Sequence, residues 1–308
     1  MSQELKIAVL PRSSFFRFWK VFCAGVKQAE SDLLGAGIPL AVQCDAPVHD
    51  DDWRLQADIF EKFVRQDVHG IVIAPCHSQE LVGPVEAAAK ANIPTVVVDS
   101  PLETARMISF VGTDNRKAGT LAAHHMGEYL DGRGSALVLR YQKGSRSTEE
   151  REDSFIQHMR QAYPEVAIIS PEEYTGSTRD SARRLSERLL AQYGSRLQAV
   201  FTPNEPSTAG MLMALQSSSL VDTVKLFGFD ASDLYMDFVR RGKIQAVVVQ
   251  NPFRMGELSV KTLVDRLQGR TVPATIDTGA TLVTPNNIDE LEIQLLLNPE
   301  TRNASLSS

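Results

Sequence analysis

Short apolar runs alternate along the chain with longer segments whose apolar residues recur at helical spacing. Strands that alternate with helices of about ten or more residues predict βαβ units and a parallel sheet. The rhythm restarts near residue 136 without a low-complexity linker, which predicts two α/β lobes. We predict strands at 6–10, 39–43, 70–74, 95–98, 108–112, 136–139, 166–170, 197–201, 225–230, 246–249 and 275–283. After Val283 we expect only a short polar tail.

Two predicted strands end in an aspartate followed by small residues. Lys225–Asp230 has the sequence Lys-Leu-Phe-Gly-Phe-Asp, and Thr95–Ser100 has the sequence Thr-Val-Val-Val-Asp-Ser. Open α/β sheets bind ligands at the carboxyl ends of their strands, so Asp99 and Asp230 are candidate ligand residues. The alternative is that each aspartate caps the following helix. Other polar side chains at strand ends are Arg12, Asn204 and Gln250.

Four aromatic residues lie within five positions at the start of the first predicted helix, which extends to about Leu34. The sequence is Phe15-Phe16-Arg17-Phe18-Trp19, too dense for a single core-facing stripe. We therefore expect some of these rings to face a groove, where a flat ring can stack on the C–H face of a sugar. The alternative is a satellite hydrophobic cluster.

Composition excludes several classes of function. The 308 residues carry a net charge of −6 and no basic block, so we expect no nucleic-acid partner. No apolar run approaches the roughly 18 residues that span a membrane, and the first residues lead directly into a strand without a signal peptide.

The three cysteines lack metal-type spacing, and we predict that they are free buried thiols. They are Cys23, Cys44 and Cys76. We find no phosphate-binding loop or serine-nucleophile motif, so we expect neither a cofactor nor an enzyme.

Ten segments in a fixed order, covering about residues 5–287, resemble type I periplasmic sugar-binding proteins of the ribose/xylose class. The ligand-sensing part of LacI-type repressors has the same fold. Any one segment is a weak signal, whereas ten in the same order are specific. The segments are Ile7–Leu10, Phe18-Trp19, Gly70–Pro75, Ile93–Asp99, Val111–Asn115, Arg151–Phe155, Ala199–Asn204, Gly228–Asp230, Val249–Pro252 and Val283–Asn287.

The resemblance implies an α/β fold of two Rossmann-like lobes with parallel sheets. Three crossings form a hinge, and the lobes close around a ligand. The N-terminal lobe is expected to contain 1–113 and 251–281, and the C-terminal lobe 114–250 and 282–308.

The resemblance also implies roles for the candidate residues. A sugar hydroxyl both donates and accepts hydrogen bonds, so its site combines carboxylates, amides and guanidinium groups. In the family an aromatic pair sandwiches the ring, while acids, amides and an arginine bind the hydroxyls. The matching residues here are Phe18 and Trp19, Asp99 and Asp230, Asn204 and Gln250, and Arg151.

Three positions depart from the ribose-type pattern. Ser100 replaces an arginine, Ala74 replaces an asparagine, and Arg12 replaces a small polar residue. Arg12 then either takes over from the missing guanidinium, with Ser100 beside the ligand, or joins Arg151 in binding an anion. Two strand-end aspartates would repel an anion, so we favour a neutral pentose, hexose or polyol.

The implied function is that of a periplasmic, monomeric solute-binding protein that delivers a monosaccharide to an ABC transporter permease. A ligand-sensing module without its own output domain is the alternative, although the residues before Leu5 are too few for a helix-turn-helix. The precursor's signal peptide is then expected to have been removed, and the alternative is a cytosolic protein. Two acidic residues are also the catalytic pair of glycoside hydrolysis. The resemblance instead implies that they accept hydrogen bonds from the hydroxyls of a ligand.

Overall fold

The computed structural model of the protein describes residues 4–104, 106–170 and 172–299. Within these ranges the chain forms two compact units. The first unit contains the residues up to Thr113, a short stretch at 144–146, and Asn251–Gly279. The second contains Asp114–Lys143, Ser147–Gln250 and the residues from Ala280 onward.

The secondary structure follows the predicted alternation of strands and helices. The strands are β1 Leu5–Leu10, β2 Leu40–Cys44, β3 Gly70–Ile73, β4 Thr95–Val98, β5 Ser109–Gly112, β6 Arg133–Val138, β7 Glu165–Ile169, β8 Ala199–Phe201, β9 Lys225–Phe229, β10 Ala246–Gln250, β11 Thr275–Asp277 and β12 Ala280–Val283. The helices are α1 Arg17–Gly35, α2 Trp53–Arg65, α3 Val82–Lys90, α4 Asn115–Tyr129, α5 Arg146–Ala162, α6 Arg179–Tyr193, α7 Glu205–Ser217, α8 Met236–Arg240, α9 Pro252–Leu267 and α10 Leu291–Leu297.

The first unit is built on a parallel six-stranded sheet with the order β11-β5-β4-β3-β1-β2. Its central strands β3 and β4 are buried along their whole length, because apolar clusters cover both faces of the sheet. Helices α1 and α9 cross at two glycines. A Cβ atom on Gly25 would lie 1.9 Å from the carbonyl oxygen of Phe253, and one on Gly256 would lie 2.1 Å from that of Phe22. The crossing therefore requires glycine at both positions.

The second unit repeats this plan with the sheet order β12-β10-β9-β8-β6-β7. All its pairs are parallel except β10 with β12. Apolar clusters again cover both faces of the sheet. The predicted α/β architecture with two mostly parallel sheets is confirmed.

The predicted strand at 275–283 is wrong in one respect, because it is two strands in two different sheets. β11 pairs with β5 in the first unit, and β12 pairs with β10 in the second. Between them the carboxylate of Asp277 accepts a 2.8 Å hydrogen bond from the backbone N–H of Gly279, whose φ is 78°. This turn interrupts a continuous β pattern.

The expected polar tail is also wrong, because α10 follows β12. Ile293 and Leu297, one helical turn apart, are buried in an apolar cluster of the second unit. The acidic residues before this short helix obscured its apolar face in the sequence. None of the described helices is long and apolar enough to cross a membrane.

Candidate functional site

Arg12 lies in the loop after β1, in the first unit, with its side chain buried. Its Nε donates to the backbone oxygen of Asp50 at 3.1 Å, and its Nη1 donates to Oγ of Ser145 at 3.1 Å. The carboxylate Oδ2 of Asp50 lies 3.6 Å from Nε. The charge of Arg12 is therefore opposed inside the protein by a carboxylate that we did not predict.

Asp50 is buried among polar groups. Burial raises the pKa of its carboxyl, while the charge of Arg12 and hydrogen bonds from Ser13 and Trp19 act in the opposite direction. Its burial is hard to predict from the sequence, because Asp50-Asp51-Asp52 is typical of a solvated acidic loop. The buried carboxylate instead connects the candidate residues Arg12 and Trp19.

A buried glutamine holds the loop that carries Arg12. Nε2 of Gln56 donates to the carbonyl oxygens of Pro11 and Ala74 at 3.2 and 2.9 Å. Its Oε1 accepts from the N–H of Cys76 at 2.9 Å. One amide thus joins the loops after β1 and β3, and this fixes the start of the Arg12 loop.

The aromatic run divides between the surface and the core. Phe15 is 58% exposed and Phe18 is half-buried, whereas Phe16 and Trp19 are buried. The ring of Trp19 lies 4.7 Å from that of Phe18 and 5.8 Å from that of Phe22, centroid to centroid, in edge-on contacts. Trp19 also belongs to the apolar cluster of the sheet face that α1 covers. Stacking of Phe18 and Trp19 on a sugar stays a prediction.

Asp99 and Ser100 form a tight buried turn after β4. Asp99 has a left-handed backbone, φ 63°, and its N–H donates to the oxygen of Val111 at 3.1 Å. The N–H of Ser100 donates to the oxygen of Val98 at 2.7 Å. Strand β5 is the next regular element, so Asp99 caps no helix.

Arg151, in α5, is the centre of the polar cluster of the second unit. Its Nε donates to Oδ1 of Asn115 at 2.8 Å, and its Nη1 donates to the oxygen of Pro203 at 3.0 Å. The guanidinium carbon lies 4.0 Å from the ring centroid of Phe229, a cation–π distance. These three contacts fix the orientation of a buried arginine.

Asp230 and Gln250 are directly hydrogen-bonded at the ends of neighbouring strands. Nε2 of Gln250 donates to Oδ1 of Asp230 at 2.8 Å. In the part of the chain that the structure describes, no donor reaches the buried Oε1 of Gln250. That oxygen is available to accept from a ligand hydroxyl.

The alternative that Asp230 caps a helix is wrong, because α8 begins at Met236 with Tyr235 as its cap. Asp230 instead has a left-handed backbone, φ 66°. The hydroxyl of Tyr235 donates to the oxygens of Phe229 and Asp230 at 3.0 and 3.3 Å. These bonds hold the turn that presents the carboxylate.

Asn204 and Glu205 lie where β8 passes into α7. Asn204 caps this helix, since its Oδ1 accepts from the N–H of Ser207 at 3.3 Å. Glu205 is paired with Arg179, 2.7 Å from Oε1 to Nη2, and accepts from Oγ of Ser232 at 2.9 Å. Burial raises the pKa of Glu205. Because Ser232 follows Asp230 closely, Glu205 supports the Asp230 loop.

The structure gathers the predicted residues of the second unit through shared contacts. Arg151 contacts the residues just before Asn204 and Asp230, and Asp230 binds Gln250. In the first unit Arg12 and Trp19 share Asp50, whereas Asp99 and Ser100 follow a strand that β3 separates from β1.

Sequence reasoning missed several supporting residues of these clusters, including Asn115, Phe229 and Asp50. Asn115 had a signal, because it follows a strand within a polar run. Phe229 was hidden in an apolar strand, and Asp50 in an acidic loop. Within the described ranges, no group of three His, Cys, Asp or Glu residues is placed to hold a metal ion.

The chain is similar to known proteins in both sequence and fold. The family of periplasmic binding protein domains matches residues 7–271. The chain is similar to a carbohydrate transporter solute-binding protein of Agrobacterium radiobacter in complex with D-arabinose (TM-score 0.89, 28% identity, 97% of this chain and 100% of that one). It is also similar to an ABC transporter solute-binding protein of Agrobacterium vitis with bound D-fucose (TM-score 0.86, 30% identity, 94% and 98%). The ribose import binding protein of Bacillus subtilis is 27% identical over 226 residues, 73% of this chain and 72% of that protein.

Proposed function

The chain belongs to the periplasmic binding protein domain family, and we propose that it captures a monosaccharide and delivers it to the permease of an ABC transporter. The observation that carries the proposal is the buried cluster of Arg151, Asn204, Asp230 and Gln250 in the second unit. Similar proteins that are named for ribose import, or solved with D-arabinose or D-fucose, support a sugar as the ligand.

The cluster matches the hydrogen-bonding needs of sugar hydroxyls. Asp230 accepts, Arg151 donates, and Gln250 offers an acceptor oxygen next to Asp230. Leaving one buried polar group unpaired costs about 1–3 kcal/mol. A site of this kind therefore discriminates against a sugar that lacks one of the matching hydroxyls.

We propose that both units contribute to one ligand site and close on the sugar. The proposed lobes are 1–113 with 251–281, and 114–250 with 282–308. Each unit has a carboxylate at the end of a central strand, Asp99 in the first and Asp230 in the second. The first unit would add Arg12, Ser100 and the face of Phe18, with Trp19 supporting that ring.

The proposed ligand is neutral. Arg12 is opposed by Asp50 at 3.6 Å, so it does not require an anionic ligand to balance its charge. Asp99 and Asp230 would also repel a carboxylate or a phosphate. A neutral pentose, hexose or related polyol fits this balance better than a sugar acid.

We further propose that the protein acts in the periplasm as a monomer and is not an enzyme, in keeping with the transport proteins that it resembles. The alternative of a sensing module is not favoured, because the similar proteins named above are transport binding proteins.

The test is a thermal-shift screen of pentoses, hexoses, polyols, sugar acids and sugar phosphates, followed by calorimetry on each hit. A ligand at 100 times its dissociation constant stabilises the folded state by about 2.7 kcal/mol, a clear shift in melting temperature. We expect a neutral sugar to bind with an affinity that barely changes with salt, because screening acts on charges. A tight ligand with a carboxylate or phosphate, whose neutral analogue does not bind, would contradict the proposal of a neutral sugar.

A further inference from the structure

Two of the three cysteines meet where α1 packs on β2. Alternate residues of a strand point to the same face, so Cys44 shares a face of β2 with Leu40 and Val42. Leu40 lies in the apolar cluster of the first unit, and both Val42 and Cys23 of α1 pack against that cluster. The strand pattern and the packing thus place Cys44 and Cys23 on facing surfaces.

A hydrogen bond holds α1 and β2 together at this point, because Oε1 of Glu30 on α1 accepts from the N–H of Val42 at 2.9 Å. The thiols of Cys23 and Cys44 lie close enough to interact, since each shifts the pKa of the other. The prediction of free buried thiols is correct for Cys76, whereas Cys23 is half-buried and Cys44 is exposed.

We propose that Cys23 and Cys44 form an intramolecular disulfide that links α1 to β2. The oxidant is a small-molecule or protein disulfide, which accepts the two electrons. Its sulfurs leave as two thiols, so two protein thiols and one external disulfide become one protein disulfide and two external thiols.

Cys23 is the attacking thiol. The neighbouring thiol of Cys44 lowers the pKa of Cys23, and the charge of Lys27, one helical turn away, lowers it further. The Cys23 thiolate attacks one sulfur of the oxidant, whose S–S bond breaks to release a thiolate. Cys44 then loses its proton to that thiolate or to solvent. Its sulfur attacks Cys23 Sγ and releases the second external thiolate.

The bond would constrain an element that carries candidate ligand residues. Cys23 lies one helical turn after Trp19 on α1, and 20 residues separate Cys23 from Cys44. A disulfide restricts the unfolded chain more than the folded one, so the oxidised protein should melt at a higher temperature than the reduced protein. This inference does not depend on which ligand the protein binds.

The test treats the native protein with oxidised glutathione or with dithiothreitol. Free thiols are then counted in denaturant, and disulfides are mapped by peptide mass. We expect three thiols per chain after reduction and one after oxidation, with a Cys23–Cys44 peptide pair two hydrogens lighter than its parts. Cys76 should remain reduced, because burial raises the pKa of its thiol to about 12.

Serine variants provide the controls. The C76S variant has two thiols when reduced and should have none after oxidation. Its melting temperature should still rise on oxidation. C23S and C44S should lose that rise. Three thiols that persist after oxidation, glutathione adducts on both cysteines, or crosslinks between chains would each overturn the proposal. The peptide map of the unmodified protein decides the question even if a variant folds poorly.

Discussion

Asp99 and Asp230 occupy the same position in the two sheets and have the same unusual backbone. Each follows the third strand of its sheet order, β4 in one and β9 in the other. Their φ angles are 63° and 66°, and each N–H donates to the neighbouring strand, to Val111 at 3.1 Å and to Val248 at 2.8 Å. Left-handed backbone is uncommon outside glycine, but Asp and Asn tolerate it. The chain therefore repeats a strand-end turn that presents a carboxylate.

This relationship predicts that Asp230→Asn separates the role of the carboxylate from that of the backbone. Asparagine also tolerates positive φ, so the free energy of unfolding should change by less than about 1 kcal/mol. Sugar affinity should fall by about 10- to 100-fold, because hydrogen bonds to a charged group contribute about 1.5–3 kcal/mol. Calorimetry with the ligand identified in the screen measures the affinity, and urea unfolding measures the stability.

Asp99→Asn is the matched variant in the first unit and should behave in the same way. Asp67→Asn is the control, because Asp67 also has positive φ, 50°, but follows α2 outside the candidate site. Unchanged sugar affinity in both Asp230→Asn and Asp99→Asn would assign these turns a purely structural role.

The strand ends were predictable from sequence because their pattern is local. A buried run followed by a polar residue marks the carboxyl end of a strand, and this identified Asp99 and Asp230 before any tertiary contact was known. Asp50 shows the limit of such reasoning, since nothing in its own loop indicates burial against Arg12 and Trp19. Its position depends on residues distant in sequence, which a local pattern does not specify.

The contacts of Trp19 predict that stability and affinity respond differently at the two aromatic positions. Trp19 is buried in the core and bonded to Asp50, so Trp19→Ala should cost about 3–5 kcal/mol of unfolding free energy. Phe18 is half-buried, so Phe18→Ala should cost less stability, while losing any ring surface offered to a sugar.

Urea denaturation and sugar calorimetry on both variants distinguish the roles. We expect Phe18→Ala to weaken sugar binding by about 1–3 kcal/mol, the value of burying one large apolar side chain. Phe15→Ala, at a 58% exposed ring, is the control and should leave stability nearly unchanged. If Phe18→Ala binds the sugar with unchanged affinity, the proposal that this ring stacks on the sugar is wrong.

The crossing of α1 and α9 predicts a large effect from a single methyl group. In Gly25→Ala the new Cβ would meet the carbonyl oxygen of Phe253 at 1.9 Å, and backbone cannot move aside as a flexible side chain can. Overpacking typically costs about 1–3 kcal/mol, and we expect this variant at or above the upper end.

Gly35→Ala, in the same helix, is the matched control. Apart from its chain neighbours and its own helical backbone, no atom of the described residues would lie within 4 Å of a Cβ at this position. Alanine should therefore be neutral or stabilise by up to about 1 kcal/mol through its higher helix propensity. Thermal melts of both variants compare the two glycines directly. Equal stability of Gly25→Ala and wild type would mean that the helices are farther apart than the structure shows.

Glu152 predicts a pH dependence of stability within the second unit. Its carboxylate is 1% exposed, accepts from the N–H of Tyr141 at 3.0 Å, and lies 3.2 Å from Nη1 of Arg140. Burial raises the pKa of Glu152 to about 8 from 4.5, despite the opposing effects of that hydrogen bond and of Arg140. The folded protein therefore keeps a proton that the unfolded chain releases between these two pH values.

Stability should fall as pH rises through this window. Below about pH 4.5 both states bind the proton, and above about pH 8 neither does, so the loss is confined to the interval between. One pKa unit corresponds to about 1.4 kcal/mol, which predicts a loss on the order of 2–4 kcal/mol from pH 5 to 8.

Glu152→Gln mimics the protonated acid without titrating. Its free energy of unfolding should therefore match that of wild type near pH 5 and exceed it near pH 8. Urea unfolding of both proteins across this range measures the difference, which cancels the titration of all other groups. Parallel stability curves for the two proteins would show that Glu152 is ionised in the folded state throughout, with Arg140 compensating its burial.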